Sequence, residues 1–213
     1  MDESPANQLE QLNLFATPMW KIDTNLDCEP IKTVVYKLKN KFETNHLTNI
    51  GGWQSPTFPR KDTPKSLDLL FTYLDSAVRT CLDSIAIPNK VHMHSFWLNI
   101  NNKTNFNKIH NHRGALMSGV FYIQTPKNCG NISFERWDDS QYYLPEDLET
   151  RNIFTGSAIN IEAEKGRLIL FPSWLLHQVE PSQTEEDRIS MSFNYILSGE
   201  KTAKELQTMG ESK

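Results

Sequence analysis

The chain has 213 residues, 38% hydrophobic and 23% charged, with a net charge of −4. That composition fits one folded domain around one core; it leaves no basic footprint for nucleic acid and no electrostatic pull toward an anionic membrane. No apolar run approaches the roughly 18 residues of a membrane span, and the acidic start MDESPANQLEQ lacks the basic-then-apolar order of a signal peptide.

Taken in order, residues 1–11 read as a loose tail. Leu14 to Ile22 reads as a short strand that tucks aromatics into the core. Pro30 to about Asn45 places Ile31, Val34, Val35, Leu38 and Phe42 at helical spacing, with Pro30 near the first turn. Leu47 to Pro59 is loop-like from its glycines and prolines and holds Trp53. A second helix starts at Thr63-Pro64, with Thr63 as N-cap, and carries a stripe from Leu67 to Leu82. Both helices read as supports for a core.

From Val91 the pattern changes to short strands separated by turns: His92–Asn101, Phe106–His112, Leu116–Gln124, Asn131–Phe134, Ile159–Glu162, Leu168–Phe171 and Arg188–Leu197. Such spacing predicts an all-β sandwich or barrel with the helices laid outside. The region Glu135–Gly156 is long, acidic and aromatic, and suits a lid or a plain surface loop. The expected organisation is one domain: residues 14–90 support a core at 91–197, and 198–213 form a tail or short helix. Cys28, Cys81 and Cys129 are widely spaced, with no CxxC, which points to free thiols in a reducing compartment.

His110 and His112 are two apart on an expected strand, so both imidazoles face one side, as a first-row metal requires. Taken alone, the pair reads first as two polar residues near a strand end. His92 and His94 share that spacing but fall beside Phe96 and Leu98 on the expected packing face, and read as structural. His177 follows a wholly apolar strand and a proline corner; a lone histidine there is commonly just a satisfied polar residue. In the last strand Ile189, Met191, Phe193 and Tyr195 share one face, and Arg188, Ser190, Ser192 and Asn194 the other. An arginine and a serine side by side can clamp a carboxylate, through a two-point fork and a hydroxyl.

Together these pieces resemble the Fe(II)- and 2-oxoglutarate-dependent dioxygenases, whose pattern is His-x-Asp/Glu, a distant histidine and a later Arg-x-Ser. Here the pieces are His110-x-His112, His177 and Arg188-x-Ser190. The chain is similar in particular to a small subgroup from bacteria and bacteriophages, through Gly51-Gly52-Trp53-Gln54-Ser55, Ser118-Gly119-Val120-Phe121-Tyr122 and Phe171-Pro172-Ser173-Trp174-Leu175-x-His177. The resemblance implies a mainly β chain with flanking helices, a double-stranded β-helix or cupin-like jelly-roll. It implies Fe(II) on His110, His112 and His177, and 2-oxoglutarate held by Arg188 and Ser190. Tyr122 would assist, with Asn99, Ser118 and Asn194 nearby. With O2, such a site hydroxylates a C–H bond and releases succinate and CO2.

One position departs from the pattern. His112 stands where the family has a carboxylate, so either three imidazoles bind iron, the preferred arrangement, or two do and water fills the gap. Histidine also fills the space a halide would need. Two alternatives stay open: a catalytically silent jelly-roll binding module, and a three-histidine cupin-like dioxygenase that does not use 2-oxoglutarate. Trp53, Trp97, Trp137, Tyr142 and Tyr143 are substrate or lid candidates. The acidic aromatic loop favours a basic or peptide substrate, with proteins and small metabolites open. No nucleic acid or membrane partner is expected, a homodimer is compatible, and the expected location is the cytoplasm, a host's if the source is viral.

Overall fold

A computed structural model describes residues 10–62, 64–87, 90–136, 138–145 and 147–198. In chain order they form β1 (Trp20–Asp23), α1 (Glu29–Lys39), β2 (Asn49–Ile50), β3 (Trp53–Gln54), α2 (Asp68–Ser84), β4 (Val91–Asn101), β5 (Phe106–His110), β6 (Met117–Gln124), β7 (Ile132–Glu135), β8 (Ala158–Ile161), β9 (Arg167–Pro172), β10 (His177–Val179) and β11 (Arg188–Leu197). The strands make two sheets, in the orders β1-β9-β6-β11-β4-β3 and β2-β5-β10-β7-β8. Every pairing between these strands is antiparallel. This is the mainly β, jelly-roll architecture expected. Among the described residues no helix is long and apolar enough to cross a membrane.

The larger sheet is buried on both faces, and its sequence says so. On β9, Leu168 and Leu170 face the helices while Ile169 and Phe171 face the second sheet. A strand with two dry faces reads as a continuous apolar run rather than an alternating one. The helix side is closed by Leu70, Phe71, Leu74 and Val78 of α2, packed with Phe96, Leu98, Met191 and Phe193. Burying each such side chain is worth about 1.5–3 kcal/mol, which is what holds α2 to the sheet. Tyr195 extends this face and its hydroxyl donates to Asp75 Oδ1 at 2.5 Å.

Several expectations shift. Only Trp20–Asp23 of the first strand forms, and Phe15 is fully exposed rather than tucked in. Helix α1 stops at Lys39 instead of running to about 45. Beyond it Thr44 and Asn45 are taken by β3: Gln54 N–H donates to Thr44 Oγ1 at 3.0 Å and Asn45 N–H to Gln54 O at 2.8 Å. The 47–59 loop thus contains two short strands that join the sheets. The second helix is preceded by a 3-10 turn, Lys65–Leu67, with Pro64 before it; the expected cap Thr63 lies outside the described residues. On β4 the register to β11 skips His94, with Ser95 opposite Asn194 and Met93 opposite Tyr195. This bulge puts Met93, not His92 or His94, on the core side with Phe96, and leaves both histidines exposed. The expected tail lies outside the described residues from Gly199 onward.

Candidate metal and co-substrate site

Between the sheets a cavity is lined on one side by His110, His112 and His177 and on the other by Tyr122, Arg188 and Ser190. His110 ends β5 and His177 begins β10, and the two are register partners. Both rings are oriented by backbone. His110 Nδ1 lies 2.7 Å from Lys108 O, and His177 Nδ1 lies 2.9 Å from Leu175 O. A carbonyl only accepts, so each Nδ1 carries the proton and each Nε2 keeps its lone pair for a ligand.

His112 reaches the cluster differently from the expectation. Strand β5 stops at His110, so no shared strand face aligns the pair. The turn is fixed instead by His112 N–H donating to Ser173 O at 2.9 Å, while Trp97 packs on the ring at 5.4 Å between centroids. The three rings end up 4.3–5.0 Å apart, with ligand atoms all within 4.8 Å of one another. A first-row ion held by imidazole at about 2.0–2.1 Å would need the donors somewhat closer than that upper limit. Burial is the main force on their protonation. It holds His177 down to about 4, with the nearby His110 adding to it, and His112 down to about 3, with His177 and His110 adding. His110 is lowered by burial, against the opposing hydrogen bond to Lys108. Three neutral imidazoles are a donor set that fits Fe(II).

Arg188 is 2% exposed and opens β11. Its Nη1 donates to Cys129 O at 2.9 Å and to Gly130 O at 3.1 Å. No carboxylate pairs with it among the described residues. Burial works against its charge, yet guanidinium does not deprotonate in proteins. A buried cation without a counter-charge is costly, and an anionic ligand relieves that cost. Ser190 sits in register between Tyr122 of β6 and Asn99 of β4, and all three line the cavity with Arg188. Burial pushes the Tyr122 phenol up to about 12, which keeps it a donor.

The other expected residues divide. Asn99 and Trp97 line the cavity; Asn99 Nδ2 donates to Ser192 Oγ at 3.4 Å, while its Oδ1 has no partner. Ser118 and Asn194 bond each other at 2.7 Å, and Ser118 also bonds Ser173 at 2.7 Å. They brace the wall behind the cavity rather than line it. Trp53 packs in the helix-side core, its Nε1–H donating to Phe42 O at 3.0 Å. Tyr142 and Tyr143 are exposed on a short 3-10 turn, Asp139–Tyr143. Trp137 lies outside the described residues. Two features escaped the sequence reading. Ser192 lines the cavity from the polar face of β11, where the alternation already put it. Phe171 packs on His177 at 4.7 Å, a contact with no sequence signal.

Residues 95–194 match the family described as "Putative 2OG-Fe(II) oxygenase". The matched stretch holds all three histidines, Tyr122, Arg188 and Ser190. No curated protein matches. Among solved structures, the chain is similar to a prolyl-4-hydroxylase from Pseudomonas putida (12% identity, covering 86% of this chain and 94% of that one, TM-score 0.59). It is also similar to a Trichoplax adhaerens prolyl hydroxylase solved with a peptide of hypoxia inducible factor (14%, 92% and 87%, 0.57). A third is HygX from Streptomyces hygroscopicus, solved with nickel, 2-oxoglutarate and hygromycin B (13%, 86% and 84%, 0.57). At these identities the neighbours speak for the fold. The family works with Fe(II), 2-oxoglutarate and O2, and the histidine cluster fits the iron.

Proposed function

We propose that this member of the 2OG-Fe(II) oxygenases hydroxylates a C–H bond of its substrate and releases succinate and CO2 from 2-oxoglutarate. A peptide or protein side chain is favoured over a small metabolite. One observation carries the reading: three imidazoles with free lone pairs share a cavity with a buried arginine that has no acid to pair with among the described residues. His110, His112 and His177 hold the metal. Arg188 binds the distant carboxylate of 2-oxoglutarate, with the Ser190 and Tyr122 hydroxyls as further donors. Bound there, Fe(II) supplies the redox chemistry that couples decarboxylation of the co-substrate to oxidation of a C–H bond. Phe134 and Phe171, packed edge-to-face at 4.9 Å beside His177, keep water from that side of the site. Three free cysteines, all buried, support a reducing compartment, the cytoplasm.

Succinate and CO2 formation from 2-oxoglutarate with Fe(II) and O2, lost in His177→Ala, is the test. Turnover that survives this change rejects the assignment. A second reading follows from His112, which leaves the site without its carboxylate: a three-histidine dioxygenase independent of 2-oxoglutarate. It requires that Arg188→Ala leave substrate oxidation intact.

A further inference from the structure

Four strands end the two sheets among the described residues. Natural edges are guarded by being short, charged or covered, because an open edge templates pairing with another chain. Strands β2 and β3 are two residues each. Strand β1 carries exposed Lys21 and Asp23. Strand β8 is different. Its sequence, Ala158-Ile159-Asn160-Ile161, has no charge and no proline, its first three residues are exposed, and its only partner strand among the described residues is β7.

The neighbourhood of this edge selects its occupant. The β7–β8 connection carries exposed Asp139, Asp147 and Glu149, with Asp138 paired to Arg136 at 3.3 Å and Arg151 as an exposed base. It also exposes Tyr142 (77%), Tyr143 (87%), Ile153 (67%) and Phe154 (51%). Its two ends are held together: Arg136 N–H donates to Ser157 O at 2.8 Å, its Nε–H to Gly156 O at 2.9 Å and its Nη2 to Phe154 O at 3.0 Å. Both ends of the acidic, aromatic connection therefore meet at the end of the hairpin that supplies the open edge. Carboxylates and aromatic faces both attract cationic side chains. Two copies of this chain paired β8 to β8 would instead bring two acidic connections within about 13 Å, one four-residue strand.

We propose that the β8 edge receives an extended, lysine- or arginine-bearing stretch of a polypeptide by strand addition, and that this stretch delivers the substrate. The substrate half of this inference rests on the oxygenase reading above. Ile159 lies in one cross-strand row with Phe134 and His177. An added strand is therefore about 14 Å from β10, three strand spacings, and a few residues of the same peptide span the distance to the cavity. Main-chain bonds supply affinity in this mode, and side-chain contacts supply selectivity.

The test is fluorescence anisotropy of the full chain with a short labelled peptide of alternating lysine and valine. Two control peptides accompany it, one methylated on alternate backbone nitrogens and one with glutamate replacing lysine. We expect the parent peptide to bind, and both controls to lose affinity by about tenfold or more, since one lacks ladder donors and the other meets like charge. Ile159→Lys, a gatekeeper on an exposed position, should weaken the parent peptide by about tenfold with 2-oxoglutarate binding unchanged. Equal binding of the methylated peptide, or no effect of Ile159→Lys, overturns the proposal. A dimer in sedimentation that dissociates in Ile159→Lys assigns the edge to a second copy and overturns it as well. Peptide binding without any succinate formation rejects the oxygenase reading and leaves the docking edge standing. Succinate formation with no peptide binding rejects the edge alone.

Discussion

His177 stands directly opposite His110 across the β5–β10 pair, with ring centroids 4.3 Å apart and each Nδ1 tied to a carbonyl two residues earlier in the chain. The ladder and the two carbonyls fix both position and tautomer before a metal arrives. His112 has no ladder; one backbone bond to Ser173 and the Trp97 ring set its place. Two of the three imidazoles are thus set by a strand ladder and the third by a turn.

That difference predicts how the ligands respond to replacement. Saturating Mn(II) or anaerobic Fe(II) should raise the melting temperature, since a ligand at a hundredfold over its Kd adds about 2.7 kcal/mol, worth roughly 5–10 °C for a chain of this size. His110→Ala and His177→Ala should erase the shift. His112→Asp should keep it, because the backbone bond to Ser173 does not depend on the side chain and a carboxylate replaces one donor with another. Differential scanning fluorimetry with and without metal measures all three. A shift that persists in His177→Ala would contradict the site.

The metal-free protein should lose stability in mild acid. Burial holds His177 at about 4 and His112 at about 3, against an ordinary 6.5. Between those values the unfolded chain binds protons that the folded chain refuses, so stability falls as pH falls below about 6.5. The slope is about 1.4 kcal/mol per pH unit for each imidazole that stays neutral. Above that range both states are neutral and this contribution is flat. Denaturant titrations of metal-free protein at pH 7, 6 and 5 measure the slope, and His112→Gln should reduce it.

Arg188 should govern the co-substrate and little else in the cavity. Its Nη1 is committed to Cys129 O and Gly130 O, which leaves the rest of the fork for a carboxylate. Lysine has one donor head and cannot serve both. Arg188→Lys should raise the KM for 2-oxoglutarate by about 10–100-fold, and Arg188→Met should cost about 2–5 kcal/mol of its binding. Titration calorimetry with 2-oxoglutarate and Mn(II) gives the values. Metal binding alone should be unchanged in both variants.

What could be read from the residues follows what period they obey. Alternation over Arg188–Leu197 gave both faces of β11, and the helical stripe from Leu70 to Leu82 gave α2, because each side chain there answers to one local geometry. Where tertiary contacts decide, the reading slipped. Helix α1 stops early because Gln54 claims Thr44 and Asn45. The three-residue β10 was missed because so short a strand has no pattern of its own. A bulge at His94 reversed the faces expected for His92 and His94. The HxH pair does converge with His177, but through a turn held by Ser173 rather than through a shared strand face. Ser118 and Asn194 sit on the expected polar side and are spent on each other. Nothing in a single sequence distinguishes such a brace from a ligand contact.

Gly130 should prove as important to the clamp as the arginine itself. Its φ of +81° is a left-handed conformation that costs an L side chain about 1–2 kcal/mol, and an added Cβ would land on the main-chain carbonyl oxygen of Glu180. That carbonyl cannot retreat cheaply, because Glu180 N–H donates to Asn131 O at 2.9 Å and Glu180 Oε2 accepts from Asn131 N–H at 3.1 Å. The same glycine's carbonyl accepts from Arg188 Nη1. Gly130→Ala should therefore lower stability by at least about 2 kcal/mol and also raise the KM for 2-oxoglutarate, since relief of the clash must move the loop that aims the guanidinium. A purely structural role would lower stability and leave the KM of the surviving folded protein unchanged. Chemical denaturation and 2-oxoglutarate titration of the same preparation separate the two outcomes.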